Sequence, residues 1–372
     1  MPEQCQTPAE RACDDAPRMR VLYFGTYERD YPRNAQVISC LRRAGVEVRE
    51  RHEPVWEGRR DGWRAGPREA ARLAVAEARL MRTVDERFDV VVVGYPGHFD
   101  LLAARRAARG APVVFNPLVS LEDTFVDDRG RFGPGSPAAR ALGFVDRHAL
   151  RAADLVVCDT RSHADHLADL AGLDPARVAV CFVGAEERVF GPGWTRPEPF
   201  TCLFVGKLIP LHGLGAILEA ARLAPELPFR VVGSGQLEAL LAAPPANVEH
   251  VPWVEYERLP GELLRAGCAL GGFGSSDKAS RVIPNKAFQA LACGTPLITA
   301  DTPAARELLV DGESALLVPP GDPEALAAAI RRLAADPTLA ERLSAGGLAA
   351  YREQASEDVL GARWRELLAG LL

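Results

Sequence analysis

The segment 280–299 reads SRVIPNKAFQALACGTPLIT, and its pattern is the strongest indication of the fold. Pro284 suits the first turn of a helix, and Gly294 suits the left-handed residue that ends one. The apolar pair Leu297-Ile298 then predicts a buried strand of a parallel sheet. The segment is therefore expected to form a loop, a short helix, a glycine stop and a strand.

The start of this helix predicts a phosphate-binding site. Free backbone N–H groups and the positive end of the helix dipole attract an anion there, and Arg281 and Lys286 lie close by in the sequence. The preceding residues 273–277, FGSSD, are small enough for backbone to approach a ligand. The alternative is that Arg281 and Lys286 are ordinary surface charges.

Composition narrows the class of protein. With 372 residues, of which 48% are hydrophobic and 25% charged, the chain is long enough for two globular domains. The net charge of −6 argues against a general nucleic-acid binder. The eight cysteines include no C-x-x-C pair, which is typical of reduced thiols in a cytoplasmic protein. No apolar run is long enough to span a bilayer, and no secretion signal opens the chain.

Short apolar runs alternate with helix-length segments along the chain. Because the runs are continuous rather than alternating, they predict strands buried on both faces of parallel sheets. The first set lies at 21–24, 90–93, 112–115 and 155–158, and the second at 201–205, 229–233, 248–251, 268–272, 296–299 and 315–318. We therefore expect an α/β protein with two doubly wound, Rossmann-like domains that face each other across a cleft.

Residues 191–199, GPGWTRPEP, predict a linker because they are rich in Pro and Gly and lack periodicity. The expected units are a disordered lead-in (1–18), a first domain (19–190), the linker (191–199), a second domain (200–355) and a C-terminal helix (356–372). A return of that helix to the first domain is one option.

A basic arc is predicted on a helix within 67–87. At about 100° per residue, four arginines share one side of the helix, opposite Ala70, Leu73, Leu80 and Val84: Arg68, Arg72, Arg79 and Arg82. The arc is interpreted either as a solvated face or as a contact with anionic lipid or an anionic acceptor.

Candidate site residues follow predicted strands. Gly206, Lys207 and His212 come after the strand at 201–205 and place cations around a space that suits a diphosphate. Polar loops in the first domain suit a polyhydroxylated substrate. The loop after the first strand lacks G-x-G-x-x-G, and no G-x-x-x-x-G-K-[ST] occurs, so dehydrogenase and P-loop chemistry are disfavoured.

These residues resemble a family. The segments VGKL (205–208), His212-Gly213, 284–299, REL (306–308) and LVPPGD (317–322) resemble the retaining glycosyltransferases of family 4, which have the GT-B fold. The similarity covers about 201–350, and the first domain matches more loosely. The resemblance implies an acceptor-side first domain and a second domain that binds a nucleotide-sugar.

The resemblance also implies transfer of a sugar, with retention, from a UDP- or GDP-linked donor to a hydroxyl acceptor, without a metal or other cofactor. Lys207 and His212 stand where the family commonly has arginine and lysine, whose charge stabilises the departing diphosphate. The nucleotide-sugar site that it implies comprises Gly25, Gly206, Ser275, Ser276, Asp277, Val282, Ile283, Pro284, Lys286 and Gln289.

The sequence departs from the family at a pair of glutamates spaced eight residues apart. Gln289 takes the place of the glutamate that holds the ribose, and its amide can still bond hydroxyls. Arg281 takes the place of the other and is expected near the diphosphate or a sugar carboxylate. Asp277 is a candidate for the lost acid. Beneath the donor sugar we rank Asp123 ahead of His98, because Asp123 follows the strand at 112–115 through a short polar loop.

The alternatives are a nucleotide-sugar epimerase on the same fold and a non-catalytic protein that binds a nucleotide-sugar and activates another transferase. For the acceptor, an envelope or lipid-linked glycan and a small specialised metabolite both stay open, as does the oligomeric state. A cytoplasmic protein, with contact to the inner membrane face as an option, is expected.

Overall fold

The structure is a computed structural model that describes residues 18–29, 31–57, 66–82 and 86–372. Apart from Arg18, the expected lead-in lies outside these ranges. Twelve strands form two parallel sheets of six, in the orders β2-β1-β3-β4-β5-β6 and β12-β11-β10-β7-β8-β9. This architecture confirms the prediction of two doubly wound domains.

The first sheet contains β1 (Arg20–Gly25), β2 (Glu47–His52), β3 (Val90–Val93), β4 (Val113–Phe115), β5 (Leu155–Cys158) and β6 (Val178–Val180). The second contains β7 (Cys202–Val205), β8 (Phe229–Val232), β9 (Val248–Val251), β10 (Cys268–Leu270), β11 (Leu297–Ala300) and β12 (Leu316–Val318). Most of these strands are buried along their length, because helices cover both faces of each sheet.

In the described residues of the first domain there are five α-helices: α1 (Pro32–Arg43), α2 (Pro67–Leu80), α3 (Leu101–Ala108), α4 (Pro137–Ala152) and α5 (Arg161–Ala171). Eight follow the linker: α6 (Leu214–Leu223), α7 (Leu259–Leu264), α8 (Asp277–Ser280), α9 (Asn285–Cys293), α10 (Pro303–Arg306), α11 (Pro323–Ala335), α12 (Pro337–Gln354) and α13 (Glu357–Ala369).

The segment 280–299 folds as its sequence suggests, with one shift. The helix α9 begins at Asn285, so Pro284, with φ of −61°, stands just before the first turn. Gly294 ends the helix in the left-handed region, with φ of 75°. The strand β11 follows after two residues and places the start of α9 at the carboxyl edge of the second sheet.

The edge strands β2 and β6 are the elements that the sequence did not predict. The β2 sequence EVRERH is mostly charged and partly exposed, so it lacks the continuous apolar run of a central strand. β6 has three residues. Both lie at the ends of the first sheet, where one side of a strand carries no neighbour and selection for apolar residues is weaker.

The last helix, α13, packs along α1 of the first domain. Its Trp364 is 1% exposed and belongs to the same apolar core as Val37 and Leu41. Gly361 lies so close to α1 that a Cβ atom there would be 2.5 Å from the carbonyl oxygen of Cys40. The chain thus crosses between the domains a second time after residue 354.

The predicted helix within 67–87 is shorter in the structure, where α2 ends at Leu80. Arg82 therefore lies beyond its end, and Val84 is outside the described residues. Leu80 is buried, as expected for the side opposite the arginines, but Ala70 is exposed. Along the described part of the chain, no helix is both long and apolar enough to cross a membrane.

Candidate functional site

Lys286 is a buried lysine whose Nζ bonds no acceptor in the described part of the chain. It occupies the first turn of α9, is 7% exposed, and its Nζ has no hydrogen-bond partner among the described residues. Nζ lies 3.9 Å from the centre of the Phe204 ring, which favours the charged form. Burial nevertheless holds the pKa of Lys286 well below its usual value. Such a group gains most from an anion that enters beside it.

Gly206 provides the space for that anion. It directly follows β7 with φ of 143°, a conformation that favours glycine. A Cβ atom at this position would lie 2.9 Å from Nζ of Lys286 and 3.7 Å from Cε1 of His212. The structure thus brings together Gly206, His212 and Lys286 around bare backbone at the start of α9, where helix N–H groups also favour an anion.

The His212 ring is fixed by a bond from Nδ1 to the carbonyl oxygen of Lys207, at 2.6 Å. Because a carbonyl can only accept, Nδ1 carries the proton. Burial, helped by the nearby charge of Lys286, holds the pKa of His212 well below its usual value. In the resulting neutral ring Nε2 has a lone pair and no proton, so His212 becomes a donor to a phosphate only when it is protonated.

Lys207 is exposed, and its Nζ lies 5.8 Å from the centre of the Tyr31 ring in the first domain. This places a second cation at the mouth of the site, between the two domains. A lysine on an exposed position can reach a ligand by rotation of its side chain.

Arg281 and Asp123 form an ion pair between the domains, with 2.9 Å between Nη2 and Oδ1. Asp123 opens a π-helical turn, Asp123–Asp128, and Arg281 follows α8. Nε of Arg281 is buried without an acceptor among the described residues. The carboxylate that was expected beneath a donor sugar is therefore neutralised in this structure by the arginine that replaces a family glutamate.

Lys278 lies near the Asp123–Arg281 pair and was not among the candidates predicted from the sequence. It is 5% exposed, and its Nζ donates to Oγ1 of Thr124 at 2.7 Å and lies 4.0 Å from Oδ2 of Asp128. Asp128 also accepts the backbone N–H of Leu211 at 2.9 Å. Its position beside Asp277, in the polar loop after β10, could have indicated Lys278 as a candidate.

The other predicted site residues within 275–284 differ in their contacts and exposure. Ser276 caps α8, since its Oγ accepts the N–H of Ala279, and it is thus occupied within its own helix. Ser275 and Asp277 are exposed. Val282, Ile283 and Pro284 line a small, largely apolar cavity together with residues of the strands behind it.

Gln289 and Gly25 lie in separate surroundings. Gln289 is 7% exposed and hydrogen-bonds Tyr256, which also bonds Glu186. Gly25 ends β1 with φ of 127°, and a Cβ atom there would lie 2.1 Å from Oδ2 of Asp100. Gly25 therefore packs against a buried carboxyl group of the first domain.

The turn that carries Asp123 is held by Asp146 of α4. Asp146 accepts the hydroxyl of Ser120 and the N–H groups of Leu121 and Glu122, at 2.8 to 2.9 Å. Nε2 of His98, the lower-ranked candidate, lies 3.3 Å from Asp146. Burial alone would raise the pKa of Asp146, but the bond to His98 and these N–H donors lower it. His98 thus faces a supporting carboxylate.

Glu307 makes a further contact between the domains. Its carboxylate accepts the backbone N–H groups of Arg161 and Ser162, at 2.6 and 2.9 Å. These are the first N–H groups of α5, so a residue of the second domain caps a helix of the first. The sequence places Glu307 in a family-like motif but gives no hint of this role. No group of three His, Cys, Asp or Glu side chains within the described ranges is arranged to hold a metal ion.

Comparison with known proteins agrees with this architecture. The sequence profile of the family "Glycosyl transferases group 1" matches residues 199–336, and that of "Glycosyl transferase 4-like domain" matches residues 13–184. Among solved structures, sucrose-phosphate synthase from Thermosynechococcus elongatus superposes with a TM-score of 0.71, at 15% identity, over 95% of this chain and 99% of that one. Anabaena HepE in complex with UDP-glucose gives a TM-score of 0.67 at 14% identity, over 95% and 100%.

The sequence relatives described next share one protein name. A D-inositol 3-phosphate glycosyltransferase of a Nocardioides species is 28% identical over 338 residues, which are 82% of this chain and 72% of that protein. The enzyme of the same name from Acidothermus cellulolyticus is 32% identical over 265 residues, which are 63% of this chain and 57% of that protein. The match to a Streptomyces bingchenggensis relative spans 51% of its length.

The two profiles together cover both domains, and the paired parallel sheets match those of GT-B structures. The chain therefore belongs to the group 1 glycosyltransferases, with the GT-B fold.

Proposed function

We propose that this protein is a retaining, metal-independent glycosyltransferase that moves a sugar from a UDP-linked donor to a hydroxyl acceptor. The observation that carries the proposal is the buried Lys286 beside Gly206 at the start of α9, which bonds none of the residues that the structure describes. A cation that is desolvated without a partner is costly in the free protein. A diphosphate in the adjoining space gives it a partner.

The diphosphate is also the leaving group of the proposed reaction. Negative charge grows on it as the bond to the sugar breaks, so cations already in place lower the barrier more than mobile water would. Lys286, Lys207 and protonated His212 are the groups that we assign to this task, together with the N–H groups of α9. With three cationic side chains available, we propose that no metal is needed, and activity should survive EDTA.

The choice of UDP rests on neighbours of the same fold. HepE is known in complexes with UDP-glucose and with UDP, and the pneumococcal O-GlcNAc transferase GtfA is known in complex with UDP and GlcNAc. Retention rests on the family resemblance of the 284–299 segment.

Thermal unfolding against UDP, GDP, ADP, CMP and dTDP tests the donor class. A nucleotide at a hundred times its dissociation constant should stabilise the fold by about 2.7 kcal/mol, a shift of a few degrees. UDP should give the largest shift, and the Lys286→Met variant should lose it. A larger shift with GDP would refute the UDP assignment, and no shift with any nucleotide would refute the donor site.

Product analysis separates the alternatives. A retaining transferase gives a product whose anomeric configuration, read from the ¹H coupling constant, equals that of the donor. An epimerase would change UDP-sugar in the absence of acceptor. A non-catalytic activator would bind nucleotide yet show no turnover with any acceptor, and Arg281, in place of a family glutamate, is the residue that motivates this alternative.

A further inference from the structure

The helices α2, α3 and α4 lie side by side on one face of the first sheet. Their inner sides supply Leu80, Leu101 and Leu150 to a common core with the strands. Their outer sides therefore form one continuous surface, which we call the arginine face. It comprises the exposed residues of 67–80, 99–109 and 137–152.

The arginine face carries a net positive charge. Neighbouring carboxylates pair with two of its arginines, Arg79 with Glu53 at 3.2 Å and Arg105 with Asp154 at 2.7 Å. Seven arginines of these three helices are exposed, and no acidic residue of the three is: Arg68, Arg72, Arg79, Arg105, Arg106, Arg140 and Arg151. Glu69 and Glu77 are half-buried and Asp146 is buried. A local excess of this size in a chain whose net charge is −6 marks a surface that attracts anions.

Large apolar side chains are exposed among these arginines. Val75 is 53% exposed, Phe99 47%, Leu102 69% and Phe144 65%, one or more from each of the three helices and their starts. Phe144 stacks on the ring of His148 one turn later, with the planes 18° apart. Exposed apolar groups surrounded by cations form an amphipathic surface and are unlike a plain solvated face.

The position of this surface relates it to the cleft. Helices that follow parallel strands begin at the carboxyl edge of the sheet, which is the edge that faces the second domain. Arg68 and Arg72 lie in the first two turns of α2, Leu102 in the first turn of α3, and Arg140 in the first turn of α4. Arg68, Arg72, Leu102 and Arg140 thus lie towards the mouth of the cleft. The other four arginines occupy the last turns of their helices, at the far end of the same surface: Arg79, Arg105, Arg106 and Arg151.

We propose that the arginine face docks on a bilayer that contains anionic lipid. Guanidinium groups pair with lipid phosphates, while Val75, Leu102 and Phe144 enter the boundary between headgroups and acyl chains. The combination favours lipid over an acidic protein or a nucleic acid, because neither requires apolar groups scattered singly between the cations. The surface ends at α5, which exposes the carboxylates of Asp165 and Asp169. The proposal does not depend on transferase activity.

Flotation with vesicles of phosphatidylcholine, with and without 30% phosphatidylglycerol, tests it on the full chain without substrate. We expect the protein to float with the anionic vesicles only. The triple variant Arg68→Gln/Arg72→Gln/Arg140→Gln removes cations that form no ion pair with another described residue. Because each arginine contributes about fivefold to the partition coefficient between vesicles and water, the triple variant should lose about 100-fold. Leu102→Ser/Phe144→Ser should lower it about tenfold.

Matched controls lie on the second domain. Arg258, Arg332 and Arg352 are also exposed, and their triple replacement by glutamine should leave flotation within twofold of the parent. Leu240→Ser/Val310→Ser removes apolar groups of the second domain that are 46% and 54% exposed, and should have no effect. The proposal would be overturned if the protein did not float, or if it floated equally with neutral vesicles. It would also be overturned if the control variants lost as much flotation as the arginine-face variants, or if the triple variant lost binding to RNA rather than to vesicles.

Discussion

Asp123 of the first domain and Arg281 of the second are joined by an ion pair of 2.9 Å, with side chains only 5% and 18% exposed. Desolvation of either charge alone is costly, so each stabilises the other. The pair fixes the π-helical turn of the first domain against α8 of the second. It also neutralises the carboxylate that was expected beneath a donor sugar.

The variant Asp123→Ala leaves the guanidinium of Arg281 buried without a partner. We expect the free energy of unfolding to fall by about 3 kcal/mol, measured by urea denaturation. The swapped variant Asp123→Arg/Arg281→Asp should recover most of this loss while its activity stays at least about 100-fold below the parent. Glu353→Ala, at an exposed position of α12, is the control and should change stability by less than about 0.5 kcal/mol. A swap that restores both stability and activity would show that Asp123 has no chemical role.

Replacement of Lys286 by methionine should have opposite effects on stability and binding. The free protein should become more stable, because an apolar side chain of similar volume replaces an unpaired cation. The affinity for UDP should fall about 100-fold, as expected for loss of a charged hydrogen bond. Calorimetric titration and thermal unfolding measure the two, and equal affinity in parent and variant would contradict the role of Lys286.

The gain from Lys286→Met should depend on pH. The pKa of Lys286 is lowered in the folded state, whereas the unfolded chain keeps the usual value of 10.5. Between these two pKa values the unfolded state binds more protons, so the parent gains stability as pH rises. Below the pKa that Lys286 has in the folded state, the side chain is charged in both states, and the parent bears the full cost of burying that charge. The advantage of the methionine variant should therefore be largest at low pH and shrink towards pH 10.5. A gain that is independent of pH would show that Lys286 titrates normally.

Gly206→Ala should block the anion space. The added Cβ atom would lie 2.9 Å from Nζ of Lys286, on a backbone with φ of 143°. We expect a loss of about 1–3 kcal/mol in stability from the strained conformation and no measurable shift with UDP in thermal unfolding. Gly215→Ala is the control: it lies in α6 with no atom within 4 Å of its added Cβ. It should raise stability by up to about 1 kcal/mol and leave the UDP shift unchanged.

Binding of UDP should take up protons. His212 and Lys286 both have pKa values below their usual ones in the free protein, and a diphosphate favours their charged forms. Affinity should therefore fall as pH rises. Calorimetry in buffers of different ionisation enthalpy counts the protons, and His212→Gln should take up about one fewer than the parent near pH 7. Equal uptake would mean that His212 stays neutral in the complex.

Glu307→Ala should weaken the contact between the domains. It removes the carboxylate that caps two N–H groups of α5, a loss of about 1–2 kcal/mol. Glu341→Ala, an exposed glutamate of α12, is the control and should be neutral. Urea denaturation measures both. A Glu307→Ala variant as stable as its control would show that solvent replaces the cap.

Central strands and the α9 segment could be predicted because their signals are local. Val90–Val93 is apolar at every position, and Gly294 ends α9 where only a left-handed residue fits. β2 was missed because an edge strand needs no apolar run. Lys286 and Gly206 were predicted as site residues from their places next to a helix start and a strand end, and the structure brings these two positions together.

The two parallel sheets and the helix that begins at Asn285 follow from the order of residues along the chain, since each signal depends on adjacent residues. Which charges are paired depends instead on contacts between distant parts of the chain. Arg281 meets Asp123 across 158 residues, Lys278 meets Thr124 across 154, and Lys286 meets no acceptor among the described residues. These outcomes depend on how the two domains close on each other and on how much water they exclude, and desolvation is a property of the packed molecule.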